Sequence, residues 1–266
     1  MDWILHFFAF ALGSIVGSFL NVVIHRYPRE ESIVFPGSHC PYCGSPIKPW
    51  DNIPILSYLL LLGRCRVCRG NISARYPLVE LATGLFFLAV FLRTGPTIGF
   101  IAVSALVAMT IALIYIDLEI QILPDVIDLP GVAIGLVIGA LHMGTLYPGL
   151  LLTSTLKEAV TGALVGAGSL MAIRVLYRVV RHVEGMGLGD VKMMAMIGAV
   201  VGWQPLFPVL LIASLTGSIA GLILAMRSSQ GLMVAIPFGV FLGIAFLVVL
   251  FFGPTLWEWY LILLLR

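Results

Sequence analysis

Apolar runs about as long as a bilayer is thick recur along this 266-residue chain, and they constrain its fold more than any other feature. A helix rises ~1.5 Å per residue, so roughly 20 apolar residues cross the hydrocarbon. Runs of this kind lie at 3–24, 78–93, 97–116, 126–147, 158–177, 191–204, 206–226 and 233–253, with Pro205 and Pro208 interrupting the 191–226 stretch. In lipid every backbone polar group must be satisfied within the segment, which selects helices. The expectation is an all-α, polytopic membrane bundle of about eight transmembrane helices. The closing run, 256–265, carries Trp257, Trp259 and Tyr260 and reads as an interfacial end.

Composition excludes the main competitors. Only 11% of residues are charged and 60% are hydrophobic, against roughly 25% charged in a typical soluble domain. Fifteen basic residues against 13 acidic ones leave no strongly basic surface, so no nucleic-acid partner is expected. The first run follows Met1-Asp2, an acidic start unlike the basic start of a signal peptide, and is read as a permanent helix.

Lys and Arg set orientation. With the connections 25–77, 117–125, 178–192 and 227–232 on the cytoplasmic side, together with Arg174 at its helix end, only Arg93, Lys157 and Arg266 of the 15 basic residues fall outside. That partition implies an even number of spans. Pairs of glycines four apart (Gly13/Gly17, Gly135/Gly139, Gly162/Gly166, Gly198/Gly202, Gly217/Gly221, Gly239/Gly243) allow helices to approach closely in lipid. No repeat is apparent.

The one extended polar segment is 25–77, and it holds all four cysteines as Cys40-x2-Cys43 and Cys65-x2-Cys68, 21 residues apart. Each pair can clamp one side of a tetrahedral ion, and together they close a structural zinc site. Pro41, Gly44 and Gly70 supply the tight turns. Disulfides or a redox-active pair are the alternative, disfavoured by a reducing cytoplasmic side. His39, beside the first ligand, is read as a bystander.

Among so few acids, position is informative. Asp2, Glu30, Glu31, Asp51, Glu158, Glu184 and Glu258 sit in loops or at ends, and Glu80 opens the second run. The remaining acids are Asp117, Glu119, Asp125 and Asp128, in and after Ile116-Asp117 … Leu123-Pro124-Asp125, and Asp190 in Gly185-Met186-Gly187-Leu188-Gly189-Asp190. Asp117 ends one apolar run and Asp190 begins another, on the same side of the membrane. An ionisable group at that depth is expensive unless paired or functional. Two carboxylates in a poorly solvated site share a proton, so one can act as base on a water while the other donates to a carbonyl. Gly185, Gly187 and Gly189 would let a peptide backbone approach. Each aspartate alone also fits an ordinary helix end, where an acid complements the dipole. Spacing does not bring the two together, because 72 residues separate them.

These stretches resemble the bacterial type IV prepilin leader peptidases, membrane aspartic proteases of the GxGD class. The likeness is carried by Gly17-Ser-Phe-Leu-Asn-Val-Val-Ile-His-Arg26, by Cys40-Pro-Tyr-Cys-Gly44 through Asn52-Ile-Pro-Ile-Leu-Ser-Tyr58, and by Cys65-Arg-Val-Cys68 with Arg75-Tyr-Pro-Leu-Val-Glu80. It continues in Ile116-Asp117 through Asp125, in Gly187-Leu-Gly-Asp-Val-Lys192 and in Ile236-Pro-Phe-Gly239. The resemblance implies removal of the basic leader of prepilins or pseudopilins after a glycine, at the cytoplasmic face of the bacterial inner membrane. It further implies methylation of the new amino terminus from S-adenosylmethionine. It places the catalytic pair at Asp117 and Asp190, with Asp125, Gly187, Gly189 and Lys192 in support and Asp125 as the main competitor for a catalytic role.

The corresponding division of the chain is a first transmembrane helix (1–24), a four-cysteine loop associated with methyl transfer (25–77) and a peptidase bundle (78–266). No glycine-rich cofactor turn of the dinucleotide type occurs in 25–77. Glu80, Arg75 and Asn52 are candidates for the methyl-transfer half, without assigned roles. The connection Thr145–Glu158 is long for the family and is expected on the far side. Other readings are a peptidase without methyl transfer, a proton-coupled transporter, and a membrane scaffold with a metal-stabilised loop. The transporter reading lacks an inverted repeat and midplane acids. The scaffold reading leaves Gly185–Asp190 unexplained.

Overall fold

The computed structural model describes residues 2–183, 185–227 and 236–264, with the backbone alone at 2 and 256–264. Among the described residues there is no strand, and helices account for most of the chain. They are α1 (Asp2–Arg26), α2 (Leu56–Leu60), α3 (Arg75–Thr94), α4 (Ile98–Ile120), α5 (Asp125–Ala140), α6 (Met143–Leu146), α7 (Leu156–Arg181), α8 (Leu188–Val201), α9 (Leu206–Arg227) and α10 (Phe238–Leu264).

Six of them, α1, α3, α4, α7, α9 and α10, contain segments long and apolar enough to cross a membrane. The expected runs 126–147 and 191–204 become shorter helices of 16 and 14 residues. The first is stopped at Ala140, after which His142 takes a left-handed backbone (φ 54°) and only a single turn, α6, follows. The second ends at Gly202, whose φ of 83° suits glycine. The second is apolar because α8 is buried on nearly every face, including Val191, Met193, Met194, Met196, Ile197 and Val200, whereas α5 leaves Val126, Leu129 and Val137 exposed. A helix apolar all round is either a span or a core element. The side chains behind the interfacial reading of 256–265 lie outside the described residues, as do 228–235, Glu184 and Arg266.

The chain divides into two compact units, Met1–Ala112 and Leu113–Arg266. In the first, α1 packs along α3. A Cβ on Gly13 would meet Phe87 at 2.6 Å, and one on Gly17 would meet the Glu80 backbone at 2.8 Å, so these two glycines set how closely the helices pack. Buried Asn21 on α1 donates from Nδ2 to the Tyr76 carbonyl (3.1 Å). Phe87 and Phe91 on α3 each meet Phe100 on α4 edge to face. Arg26, buried at the end of α1, donates to the carbonyls of Ser32 (3.0 Å) and Gly37 (3.4 Å) and so ties the start of the polar loop to the helix.

In the second unit α8 is the hub, packed by α7, α5 and α10. Gly162 of α7 and Gly198 of α8 abut backbone to backbone, and a Cβ on Gly135 of α5 would sit 2.7 Å from Ala199 of α8. The connection Thr145–Glu158 folds back onto this core: Thr153 N–H donates to the Val200 carbonyl (2.8 Å) and Leu151 N–H to that of Leu250 (2.9 Å). It then caps α7, where Thr155 Oγ1 accepts from Glu158 N (3.1 Å) and Glu158 Oε2 accepts from Ser154 N (2.8 Å).

Candidate active site and metal centre

The metal centre is built from two turns of the same design. Cys40 N–H donates to Ser45 O (2.9 Å) and Gly44 N–H to Cys40 O (2.9 Å). Cys65 N–H donates to Gly70 O (2.8 Å) and Arg69 N–H to Cys65 O (3.0 Å). The flanks repeat the pairing, Ile47 N–H to Ser38 O and Ile72 N–H to Gly63 O, with isolated bridges His39–Pro46 and Arg64–Asn71. Gly44 and Arg69 occupy the matching left-handed position (φ 68° and 60°). Each turn therefore aims two thiols to one side, and the four Sγ atoms of Cys40, Cys43, Cys65 and Cys68 lie within 4.8 Å of one another.

Metal–sulfur distances of about 2.3 Å in a tetrahedron require sulfurs about 3.8 Å apart. Cys40 and Cys68 Sγ are 3.8 Å apart. Four thiols within 4.8 Å of one another, with one pair at 3.8 Å, fit a thiophilic ion after a small contraction. The Ser45 hydroxyl, 3.2 Å from Cys43 Sγ, and the Ser45 backbone bring the Cys43 thiol down to about 6. The Cys68 and Val67 backbones lower that of Cys65. The Gly70 backbone favours the Cys68 thiolate, but desolvation and the three neighbouring cysteines push it up to about 11. A cation removes that mutual repulsion. His39 stays outside the cluster, its Nδ1 on the Gly37 carbonyl.

Between the two turns the chain is pinned at both ends. Arg66, inside the second Cys-x2-Cys, pairs with Asp51 through Nη2 and Oδ1 at 2.6 Å, and its guanidinium holds that carboxyl below its usual range. Ser57 Oγ accepts from Ile53 N (2.9 Å) and donates to Trp50 O (3.1 Å). Glu80, buried on α3, accepts the Ile55 N–H at 2.7 Å, at a residue whose φ of +64° is unusual for a β-branched side chain. Glu80 and Asn21 thus have structural partners that their positions in the sequence did not disclose.

The carboxylate site lies in the second unit. Asp117, in the last turn of α4 and 4% exposed, accepts the Val240 N–H at Oδ2 (3.0 Å) and is also bonded by the Gly239 backbone, at the start of α10. Asp190 occupies the third position of α8, and its carboxylate reaches back to the N–H of the capping residue Gly187. The two carboxylates are near enough for the charge of Asp117 to act on Asp190. Leu123 lies between the strings of residues that carry them: a Cβ on Gly189 would meet Leu123 Cβ at 2.7 Å, and one on Gly239 would meet Asp117 Oδ2 and Leu123 Cδ1, each at 2.9 Å.

The glycines also have partners within the chain. Gly189 makes room for Leu123, Gly187 supplies an N–H, and Gly185 accommodates the Tyr177 ring. Gly239, noticed only as part of a motif, gives Asp117 the space it occupies. Lys192, one turn along α8, donates to both oxygens of Asp125 at 2.6 Å, which joins the start of α5 to α8. Asp128, one turn into α5, is fully buried, and neither of its oxygens has a hydrogen-bond partner. Its separation of three from Asp125 was the available sign that it shares their face.

Known proteins bear on this arrangement. Residues 11–94 match the Bacterial Peptidase A24 N-terminal domain, and residues 104–222 match the Type IV leader peptidase family. The chain is 39% identical to the prepilin leader peptidase/N-methyltransferase of Pseudomonas aeruginosa, over 94% of this chain and 91% of the relative. It is 38% identical to that of Aeromonas hydrophila (98% and 95%) and 37% to that of Burkholderia pseudomallei strain 1026b (92% and 85%). No solved structure matches the chain. With relatives at this identity aligned over nearly their whole length, and carboxylates and cysteines gathered as described, this chain belongs to the type IV leader peptidase family.

Proposed function

We propose that the chain is a bifunctional enzyme of the inner membrane that removes the leader of type IV prepilins or pseudopilins at its cytoplasmic face. It then methylates the new amino terminus from S-adenosylmethionine. Both activities follow the names of the relatives. The observation that supports the peptidase half is that Asp117 and Asp190, separated by 72 residues, lie near enough for their charges to interact, with Leu123 packed beside both Gly189 and Gly239. One carboxylate takes the proton of a water as it attacks the scissile carbonyl, and the other donates its proton to the carbonyl oxygen. Backbone N–H groups of Val240 and Gly187 hold the two carboxyls in place without supplying a competing charge.

The metal centre is assigned to zinc, because four thiolates and no open position suit a structural site. Cys40, Cys43, Cys65 and Cys68 hold it, and the ion fixes the two turns against each other. In this reading 1–24 is the first transmembrane helix, 25–77 the methyl-transfer loop and 78–266 the bundle that carries the peptidase. The basic loops facing the cytoplasm support the orientation.

The test is incubation of the purified protein with a synthetic prepilin, with and without S-adenosylmethionine, followed by mass measurement of the products. Cleavage alone without the donor, and cleavage plus one methyl group with it, are expected. An uncleaved substrate sinks the proposal, and a product that never gains the methyl group reduces it to a peptidase. Asp117→Asn and Asp190→Asn should each lower the cleavage rate by about 10²–10⁴-fold, the usual share of general acid–base catalysis, while the protein still reaches the membrane.

A further inference from the structure

The carboxylate site holds more acid than the proposed reaction uses. Among the described residues, Asp117, Asp190, Asp125 and Asp128 gather here, with the Lys192 ammonium paired to Asp125. Lys192 sits on Asp125, at the open side of the group, where the Asp125 side chain is 56% exposed. Asp128 lies behind them at zero exposure with both oxygens unpartnered. The charges that act on it are those of Asp125 on its own helix and of Lys192 and Asp190 on α8. A buried polar group without a partner costs about 1–3 kcal/mol, and more when charged. Its retention asks for a use.

We propose that Asp128 is a second seat for the Lys192 ammonium, and that Asp125, released when Lys192 moves there, receives a cationic side chain of the peptide substrate. The inference rests on the peptidase reading of this site. Asp125 and Asp128 are three apart in the first turn of α5, so their Cβ atoms are about 5–6 Å apart, a distance within the swing of a flexible lysine stem. While Lys192 rests on Asp125, Asp128 is a neutral carboxylic acid, since an anion there would be unpaired. When a lysine or arginine of the substrate takes Asp125, Lys192 pairs with Asp128 and the Asp128 proton leaves to water. One positive charge enters, one leaves, and no group is left charged and alone. Asp125 is then a specificity residue and Asp128 a positioning residue that acts through Lys192.

The experiment uses the purified full chain and two synthetic peptides that differ only in one leader residue, Lys or Gln, with KM and kcat measured for each. A lower KM for the Lys peptide is expected, by about five- to tenfold, the size of one charge-assisted contact. Added salt should raise that KM and leave the Gln peptide unmoved. Asp125→Asn and Asp128→Asn should each bring the ratio of the two KM values towards one, and Asp125→Glu should restore part of it. A purely structural role for Asp128 would move both peptides together and leave the ratio intact, which overturns the inference. Equal KM values in the unaltered protein overturn it as well, without harm to the peptidase reading. Cleavage of neither peptide removes both. The salt dependence is read on the unaltered protein, so it tests the ionic contact to the leader residue even if a variant fails to fold, and the Asp128→Asn ratio tests the second seat.

Discussion

A carboxylate beside a bilayer needs a reason, and Asp117 has its reason in the backbone of α10. Its Oδ2 occupies the space that a side chain on Gly239 would take, 2.9 Å from the ideal Cβ position. Gly239→Ala should therefore displace the carboxylate or push the two helices apart, at a cost of about 1–3 kcal/mol for the added methyl group. The expected result is a sharp fall in kcat for leader cleavage with bound metal unchanged. Full activity of this variant would show that Asp117 has slack. In the sequence Asp117 and Asp190 stood out because the chain has only 13 acids and these two border apolar runs. Gly239, the Val240 N–H and Asp128 did not, because each owes its importance to a neighbour far away in the chain.

Among elements, the helices were legible to different depths. Six runs of about 20 apolar residues form helices long and apolar enough to cross a membrane, whereas α5 and α8 form shorter helices of 16 and 14 residues. For α8, burial on nearly all sides imposes the same composition as lipid does, so composition alone does not separate the two cases. The glycine spacing predicted close helix packing, and the structure shows which partner each glycine meets. Gly162 of α7 touches α8 at backbone level, while Gly168, two turns along, has nothing within 4 Å of its Cβ position. Gly162→Leu should abolish folding or reduce the amount of protein in the membrane, and Gly168→Leu should be tolerated. Protein yield and thermal unfolding in detergent measure both, and equal loss in the two variants would reject this account of the α7–α8 contact.

The polar loop holds an internal repeat that the bare sequence did not reveal. The hydrogen bonds around Cys40 recur 25 residues later around Cys65 (65 − 40), although few side chains match besides the cysteines. Backbone geometry repeats because a two-cysteine turn needs one left-handed residue and two carbonyl–amide pairs, and many sequences meet that need.

For the molecule as a whole, the four-cysteine cluster lies in the first unit and the carboxylates lie in the second. Cys40→Ser or Cys65→Ser should remove most of the bound zinc, and so should a strong chelator. Methyl transfer to a peptide already cleaved should fall with the metal. Leader removal should persist, since the hydrogen-bond partners of Asp117 and Asp190 are the Val240, Gly239 and Gly187 backbones. Metal analysis alongside the mass assay checks this, and unchanged zinc in the cysteine variants would reject the four-thiol site. Cleavage lost in step with the metal would instead tie the two units into one functional body.

The sequence by itself determined the apolar surroundings of this protein, its helical class, the four cysteines that cluster and the two acids worth attention. Each of these follows from local composition or short spacing, which hydrophobic free energy and coordination chemistry read directly. Only the tertiary structure decided that Asp117 and Asp190 come near enough for their charges to interact, that Lys192 ties α5 to α8, that Glu80 receives the Ile55 amide, and that Asp128 is buried without a partner. Those pairings join residues on different helices, or depend on what surrounds one. Electrostatic and hydrogen-bond energies depend on distance in space, and separation along the chain leaves that distance undetermined.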